Sequence, residues 1–536
     1  MTEEILGRLM LAFNGTTVPA WLRARLSSAP AAGITLFRAR NVRSPRQLRR
    51  LATGLQSAAS ARPGSVVLPL LIAADQEGGQ FLALGDGWTP FAGAMAIGAT
   101  GDSGLAERVG AAIGRELRAT GVNVAYAPVL DVAGSPDNPS LGIRSFGDDP
   151  AAVARLGTAW LAGVQSAGVA ATGKHFPGAG STGVDTHHAL AVAERTRADV
   201  EAEELVPFRE AIASGVRLVM SGHFAAPGLT GSRALPSTLS GRVMGELLRD
   251  ELGFDGVSIT DALDMGALAQ GASQAVDVLA ALEAGVDLLL ATADRVAQRR
   301  IESTLLRASE VQLLDPERSR RSAARVAALR RWVGGFDDPG IAVVGSSEHA
   351  ALARELAARS LTLVRDAGSL LPLRLAPDAR VLAIMPAPRD LTPADTSSFV
   401  TPTLAAALRA HHPHVDEVVT EFPPTSAEIA SLRERAAGYD LVIAGTITAT
   451  AGSTQADLVR ALASTGVPLV TVALRTPWDL AAYPEAGTHV CTYSILRESM
   501  DALAAALFGR TTGAAFPGRL PVRIAGIAER GHGLVA

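Results

Sequence analysis

The chain has 536 residues, 48% of them hydrophobic and 19% charged, with a formal net charge of −4. That length exceeds what one hydrophobic core usually organises, so two domains, or a barrel-sized domain with a smaller partner, are expected. The apolar fraction excludes a disordered chain, and the near-neutral balance argues against an electrostatic nucleic-acid binder.

In chain order, the opening MTEEILGRLMLAFNG is acidic where an export signal is basic, and its short apolar stretch is helical in pattern. Short β-branched runs then alternate with longer amphipathic segments, which is the pattern of βα units around a parallel sheet. The expected strands are 33–37, 67–74, 122–131, 169–173, 217–221, 256–260 and 286–290, with helices such as 102–120, 151–167 and 199–214 between them. Seven or eight such units in about 300 residues suit a TIM-type barrel better than an open sheet. An arginine-studded helix over 314–332 follows, its arginines read as a solvated face, and FDDPG over 336–340 reads as a linker. A second alternating pattern comes next: strands 341–345, 361–365, 381–385, 441–445 and 469–473, with a helix over 348–359. The expected architecture is a barrel over 1–335, a linker and domain start over 336–345, and a smaller αβα sandwich over 346–536.

Cys491 is the single cysteine, so no internal disulfide forms, and no Cys/His array has zinc-ligand spacing. No run of about 18 uncharged apolar residues spans a membrane. The cytoplasm is therefore the expected compartment. Lys174 is the only lysine, every other basic residue among the 49 being arginine. Two readings are open: chance survival under codon bias, or a site that needs a compact ammonium which a planar guanidinium cannot replace.

Polar residues recur where the strands end: Asp75, then Lys174 and His175, then His223, then Asp261. In a barrel these positions crowd the rim that carries chemistry, although loops after strands are polar in any case. The densest segment is 173–190, GKHFPGAGSTGVDTHHAL, in which six Gly, Pro or Ser residues prevent a helix while lysine, aspartate and three histidines converge. Asp185 and His187 are two apart, so in extended backbone their side chains face one way. A carboxylate beside an imidazole fixes its tautomer and raises its basicity, as a general acid/base requires. His175, Asp185, His187, His188 and His223 would be the ligands of a metal, but the early strand ends offer no histidine, and no metal is expected. His188 and His223 are read as satisfied structural histidines. In GVSITDALDMGAL a buried strand delivers Asp261 and a helix begins at once, so Asp261 is either that helix's N-cap or a carboxylate nucleophile held ionised by cations and the helix dipole.

With these motifs assembled, the chain resembles glycoside hydrolase family 3 in its β-N-acetylglucosaminidase branch, nearly end to end. Asp75-Gln-Glu-Gly-Gly matches DQEGG, Ile143-Arg-Ser-Phe-Gly-Asp-Asp-Pro matches RSFG-x-DP, and Lys174-His-Phe-Pro-Gly opens the KHFPG loop. Asp185-Thr-His matches D-S-H, and 236–261 resembles the nucleophile stretch. In the second domain Ala358-Arg-Ser-Leu-Thr-Leu-Val, Leu371-Pro-Leu, Phe508-Gly-Arg and Pro517-Gly-Arg-Leu-Pro-Val resemble the family's sandwich. The resemblance implies retaining, exo-acting removal of a terminal β-linked 2-acetamido sugar. It implies Asp261 as nucleophile, His187 oriented by Asp185 as acid/base, and Asp75, Arg144, Lys174 and His175 as sugar-binding residues. No cofactor is implied, and the partner is a small carbohydrate rather than nucleic acid or membrane, with the chain a monomer or homodimer.

The chain departs from the family pattern at Ala179 and Ser181, where a histidine and an aspartate are usual, and at Gln80 and Ala83, where arginines are usual. Losing the arginines counts against an acidic, muramyl-type leaving group. Three alternatives stay open: phosphorolysis, since a histidine acid/base does not repel phosphate; a glucoside specificity; and sugar binding without turnover.

Overall fold

The computed structural model describes residues 2–62 and 68–535, so the first residue of the strand expected over 67–74 lies outside the described residues. Among the described residues eight parallel strands close a barrel in chain order: β1 (Leu9–Leu11), β2 (Gly33–Thr35), β3 (Leu71–Ala74), β4 (Val124–Ala125), β5 (Ala170–Phe176), β6 (Leu218–Ser221), β7 (Val257–Ala262) and β8 (Leu288–Leu290). Both faces of each strand are covered, so the strands read as near-continuous apolar runs.

β1 corrects the sequence reading. Only Thr2–Leu6 of the opening segment is helical, while Leu9–Leu11 is a buried strand. Met10 pairs with Gly33 of β2 and Leu9 with Leu289 of β8, so this strand closes the ring. Three residues are too few for a period of 2 to show against one of 3.6. β4 is shorter than expected because Pro128, which has no amide hydrogen, interrupts the run, although Val129 still bridges to Lys174. β5 is longer, so Lys174 and His175 belong to the strand itself.

The arginine helix, Pro316–Gly334, lies across the floor of the barrel. Its Val326, Leu329 and Val333 pack against Met10, Leu71, Leu218 and Leu288 at the barrel's centre. Its arginines are only partly a solvated face. Arg320 and Arg321 are exposed, but Arg325 pairs with the fully buried Asp287 at 2.7 Å and Arg330 donates to the Pro69 carbonyl at 2.8 Å. Beyond it, Arg49 holds Asp338, Arg118 donates to the Phe336 and Asp337 carbonyls and the Gly345 amide donates to Glu116, so residues 336–345 run along the barrel wall.

The second sheet has the order β9-β14-β13-β12-β10-β11, from β9 (Thr362–Asp366), β10 (Val381–Pro386), β11 (Val415–Thr420), β12 (Leu441–Thr446), β13 (Leu469–Ala473) and β14 (Thr488–Cys491). β9 is antiparallel to β14 and the rest are parallel. Alternation along β10 sends Val381, Ala383 and Met385 into one core and Leu382 and Ile384 into another, so helices cover both faces. The strand expected over 341–345 is instead a 3-10 turn, Ile341–Val343, with no buried residue. β11 and β14 had no expected counterpart; β11 is an edge strand carrying Asp416 and Glu417, which breaks the apolar signal. The domains are joined by buried polar contacts, among them His349 to Glu116 at 2.8 Å. No helix among the described residues is long and apolar enough to cross a membrane.

Candidate active site

The chain after β3 turns back in a small hairpin, Gln76–Gly78 paired with Phe81–Leu82. Gly79 sits in it at a φ of +61°, and a Cβ there would come within 3.0 Å of the Gly93 backbone, so only glycine fits. The hairpin puts Glu77 under the pocket. Arg144, on the turn Gly142–Arg144, grips Glu77 with two hydrogen bonds of 2.9 Å while lying over the Phe81 ring at 4.2 Å. Lys174, 2% exposed, places its Nζ 2.7 Å from Asp75 and 2.6 Å from Glu77. Burial disfavours the Glu77 charge, but Arg144 and Lys174 outweigh it and hold its pKa down to about 2. The lone lysine thus sits as a buried point charge between two carboxylates.

Two imidazole–carboxylate pairs stand above this network. His175 Nδ1 is 2.7 Å from Asp131, whose other oxygen accepts from the His175 and Ala179 amides at 3.1 and 2.8 Å. His187 Nδ1 is 2.7 Å from Asp185, which also accepts from the His187 amide at 2.9 Å. The reason expected for this second pair is corrected: residues 185–188 form a turn, in which the His188 amide donates to the Asp185 carbonyl, rather than an extended run. Partial burial works against protonation of His187, but the Asp185 hydrogen bond and the Asp261 charge raise its pKa above the ordinary 6.5.

Asp261 lies within β7. No helix begins at once; turns fill 263–270 and the helix starts at Gln274, which removes the N-cap reading and the helix dipole with it. Burial disfavours the Asp261 charge, yet His175, His223 and His187 and the Ala262 amide bring its pKa below the usual value. His223 is buried and satisfied, bonded to Thr238 Oγ1 at 2.8 Å and to the Ala262 carbonyl at 3.2 Å. His188, read like His223 as a satisfied structural histidine, is exposed. Among the described residues no three His, Cys, Asp or Glu converge as a metal set.

One pocket collects Asp75, Arg144, Lys174, His175, His187 and Asp261 along its walls. Asp185 stands one bond behind, holding His187. Sequence reasoning did not single out Glu77, Asp131 or Glu204. Asp131 ends the expected strand 122–131 and was recoverable by the rule that selected Asp75. Glu204 packs behind Gly178, and burial, then Asp131, push its carboxyl up to about 8. At the departures, Ala179 contributes its amide to Asp131, Ser181 Oγ is buried with no hydrogen-bond partner among the described residues, and Gln80 and Ala83 are buried at the hairpin.

The model of the glycosyl hydrolase family 3 N-terminal domain matches residues 6–329, more than half of the chain. The chain belongs to glycosyl hydrolase family 3. It is 37% identical to β-hexosaminidase A of Pseudoalteromonas piscicida over 67% of its own length and 63% of that longer protein. It is 29% identical to the β-N-acetylglucosaminidase/β-glucosidase of Cellulomonas fimi over 97% of its length and 93% of that protein. Among solved structures it is similar to a family 3 β-N-acetylglucosaminidase from Paenibacillus sp. str. FPU-7, with a TM-score of 0.90 and 36% identity, covering 98% of this chain and 99% of that one. The barrel-plus-sandwich architecture is therefore the family's two-domain form.

Proposed function

We propose that the chain is a retaining, exo-acting glycosidase that removes terminal β-linked N-acetylglucosamine from small carbohydrates. One observation carries the reading: an ionised carboxylate, Asp261, and an imidazole held ready to be protonated, His187, line the same pocket and each tunes the other's proton affinity. Asp261 attacks the anomeric carbon as the bond to the leaving oxygen breaks, and His187 passes its Nε2 proton to that oxygen. Water then attacks the same carbon, gives a proton to the neutral imidazole, and displaces Asp261. Two inversions give retention. Asp185 occupies Nδ1, so Nε2 is left as the proton carrier. Asp75, Arg144, Lys174 and His175 hold the sugar, their charges preset by the buried network so that little reorganisation accompanies reaction.

The hexosaminidase names of the relatives support the 2-acetamido sugar. No cofactor has a part in this chemistry. A reducing compartment, the cytoplasm, suits a chain whose single cysteine is buried and free, acting as a monomer or homodimer. The test is turnover of nitrophenyl N-acetylglucosaminide and nitrophenyl glucoside, each with and without phosphate. The reading expects preferential, phosphate-independent release from the N-acetylglucosaminide. A phosphate-dependent product, a glucoside preference, or tight binding without cleavage contradicts it.

A further inference from the structure

The segment that carries the proposed proton carrier is tied down at both ends and held lightly between them. Upstream, Asn138 Nδ2 donates to the Ala179 and Gly180 carbonyls at 2.9 and 3.4 Å; downstream, Ala191 and Val192 pair with Phe224 and Ala225. Gly183, Val184, His188 and Ala189, between those ties, are exposed. The contacts of Asp185 with His187 and His188 lie inside the segment and travel with it. Among the described residues, two hydrogen bonds join 183–189 to another part of the chain. The Gly266 amide donates to the His187 carbonyl at 3.0 Å, and the Ala267 amide to the Thr186 carbonyl at 3.2 Å.

The turn that supplies both donors continues β7, just past Asp261, and it is fixed to the barrel rather than to the segment it holds. The Leu263 amide donates to the Leu290 carbonyl at the end of β8 at 3.1 Å. Gln270 Nε2 donates to the carbonyls of Leu263, Met265 and Leu268 at 3.2, 3.1 and 3.2 Å, and the buried Gln274 adds a bond of 2.8 Å to Leu263. Asp277 accepts from the Ala269 amide at 2.8 Å. Leu263 and Met265 are buried, and Met265 lines the pocket that Asp261 and His187 share. Gly266 is exposed, so core packing does not require a glycine there. The contact does: a Cβ on Gly266 would come within 2.6 Å of the His188 carbonyl oxygen and 2.9 Å of that of His187. Both are backbone atoms that cannot rotate aside, so a side chain at 266 pushes the 186–188 backbone away from the turn.

A retaining displacement uses one nucleophile and one proton carrier in both steps, so their separation must hold throughout. We propose that the turn 263–268 is a positioning element of the reaction and Gly266 its positioning residue: by gripping the Thr186 and His187 carbonyls it sets the distance of the His187 imidazole from Asp261, in the strand that the turn extends. The inference rests on the glycosidase reading, and the experiment separates the two. Wild type, His187→Ala and Gly266→Ala are compared on the β-1,4-linked N-acetylglucosamine disaccharide and on dinitrophenyl N-acetylglucosaminide, with and without azide. Gly266→Ala is expected to lower kcat/KM for the disaccharide about 10- to 100-fold and to leave that for the dinitrophenyl substrate near wild type, because dinitrophenolate departs without a proton. Azide, which attacks the anomeric carbon as Asp261 leaves and needs no base, should restore kcat on the dinitrophenyl substrate and yield the β-glycosyl azide. Should Gly266→Ala fail to fold, Gln270→Met, which removes the donor bracing the turn but leaves the Gly266 contact unobstructed, is read in the same way with a smaller expected loss. Equal losses on the two substrates, wild-type kinetics on both, or no response to azide, while His187→Ala itself depends on the leaving group, overturns the positioning role and leaves the glycosidase reading standing. A His187→Ala variant without that dependence, or a wild type inert on both substrates, overturns the glycosidase reading and the inference with it.

Discussion

The rim carries two imidazole–carboxylate pairs with the same 2.7 Å contact and different surroundings. His175 stands in β5, and its carboxylate, Asp131, is 1% exposed and also bound by two amides. His175 Nε2 lies 3.4 Å from an Arg144 nitrogen while Nδ1 faces Asp131, so both ring nitrogens have protein neighbours. His187 stands on a turn, its side chain 25% exposed, with Nδ1 held by Asp185 and Nε2 facing the pocket. A strand holds the first imidazole against a buried carboxylate, and a turn leaves the second more open to the pocket. The same pair thus stands in two settings, and the proposed function assigns positioning to the first and proton transfer to the second.

Breaking the carboxylate that both histidines face has the largest effect. Asp261→Asn should cost on the order of 10⁴-fold in turnover with the folded state intact, and an activated fluorinated sugar should label Asp261 in the wild type, read by peptide mass. Label on another carboxylate would contradict this. The network beneath the strand-borne pair is next: Lys174→Arg should lower kcat on the order of 100-fold through displaced contacts, whereas Arg320→Gln on the exposed face should leave it unchanged. Wild-type kinetics in Lys174→Arg would return the lone lysine to compositional accident. Glu77→Ala leaves Lys174 and Arg144 buried with one carboxylate fewer, and chemical denaturation should show a loss of about 3–5 kcal/mol. The smallest effect sharpens the contrast through pH. The acid limb of kcat/KM should lie below the ordinary aspartate value of 3.8, since Asp261 must be ionised, and the alkaline limb above 6.5, since His187 must be protonated. Asp185→Ala removes both the hydrogen bond and the charge that raise His187, so the alkaline limb should move to lower pH; an unmoved limb would mean that another group titrates there.

Much of this site was legible because barrel geometry converts strand ends into one rim. Asp75, Lys174, His175 and Asp261 follow from that rule alone, and Asp185 and His187 from their closeness in a loop too rich in glycine to be idle. Glu77 escaped it because a hairpin, not a strand end, folds it under the pocket. β1 escaped because three residues carry no period. The N-cap reading of Asp261 failed because the turns at 263–270 delay the helix by a dozen residues, a choice of backbone that residues with good capping chemistry do not reveal. The contact of Thr396 with Gln80 spans more than 300 positions and two domains, and no local pattern encodes it.

The division of labour between the two pairs is tested most directly by leaving-group dependence. His187→Ala and His175→Ala are each compared on N-acetylglucosaminides with a good leaving group, dinitrophenol, and a poor one, a second sugar. The account predicts that His187→Ala loses about 10²- to 10⁴-fold on the poor leaving group and far less on the good one, while His175→Ala loses equally on both. A His187→Ala variant impaired equally on the two substrates would contradict it.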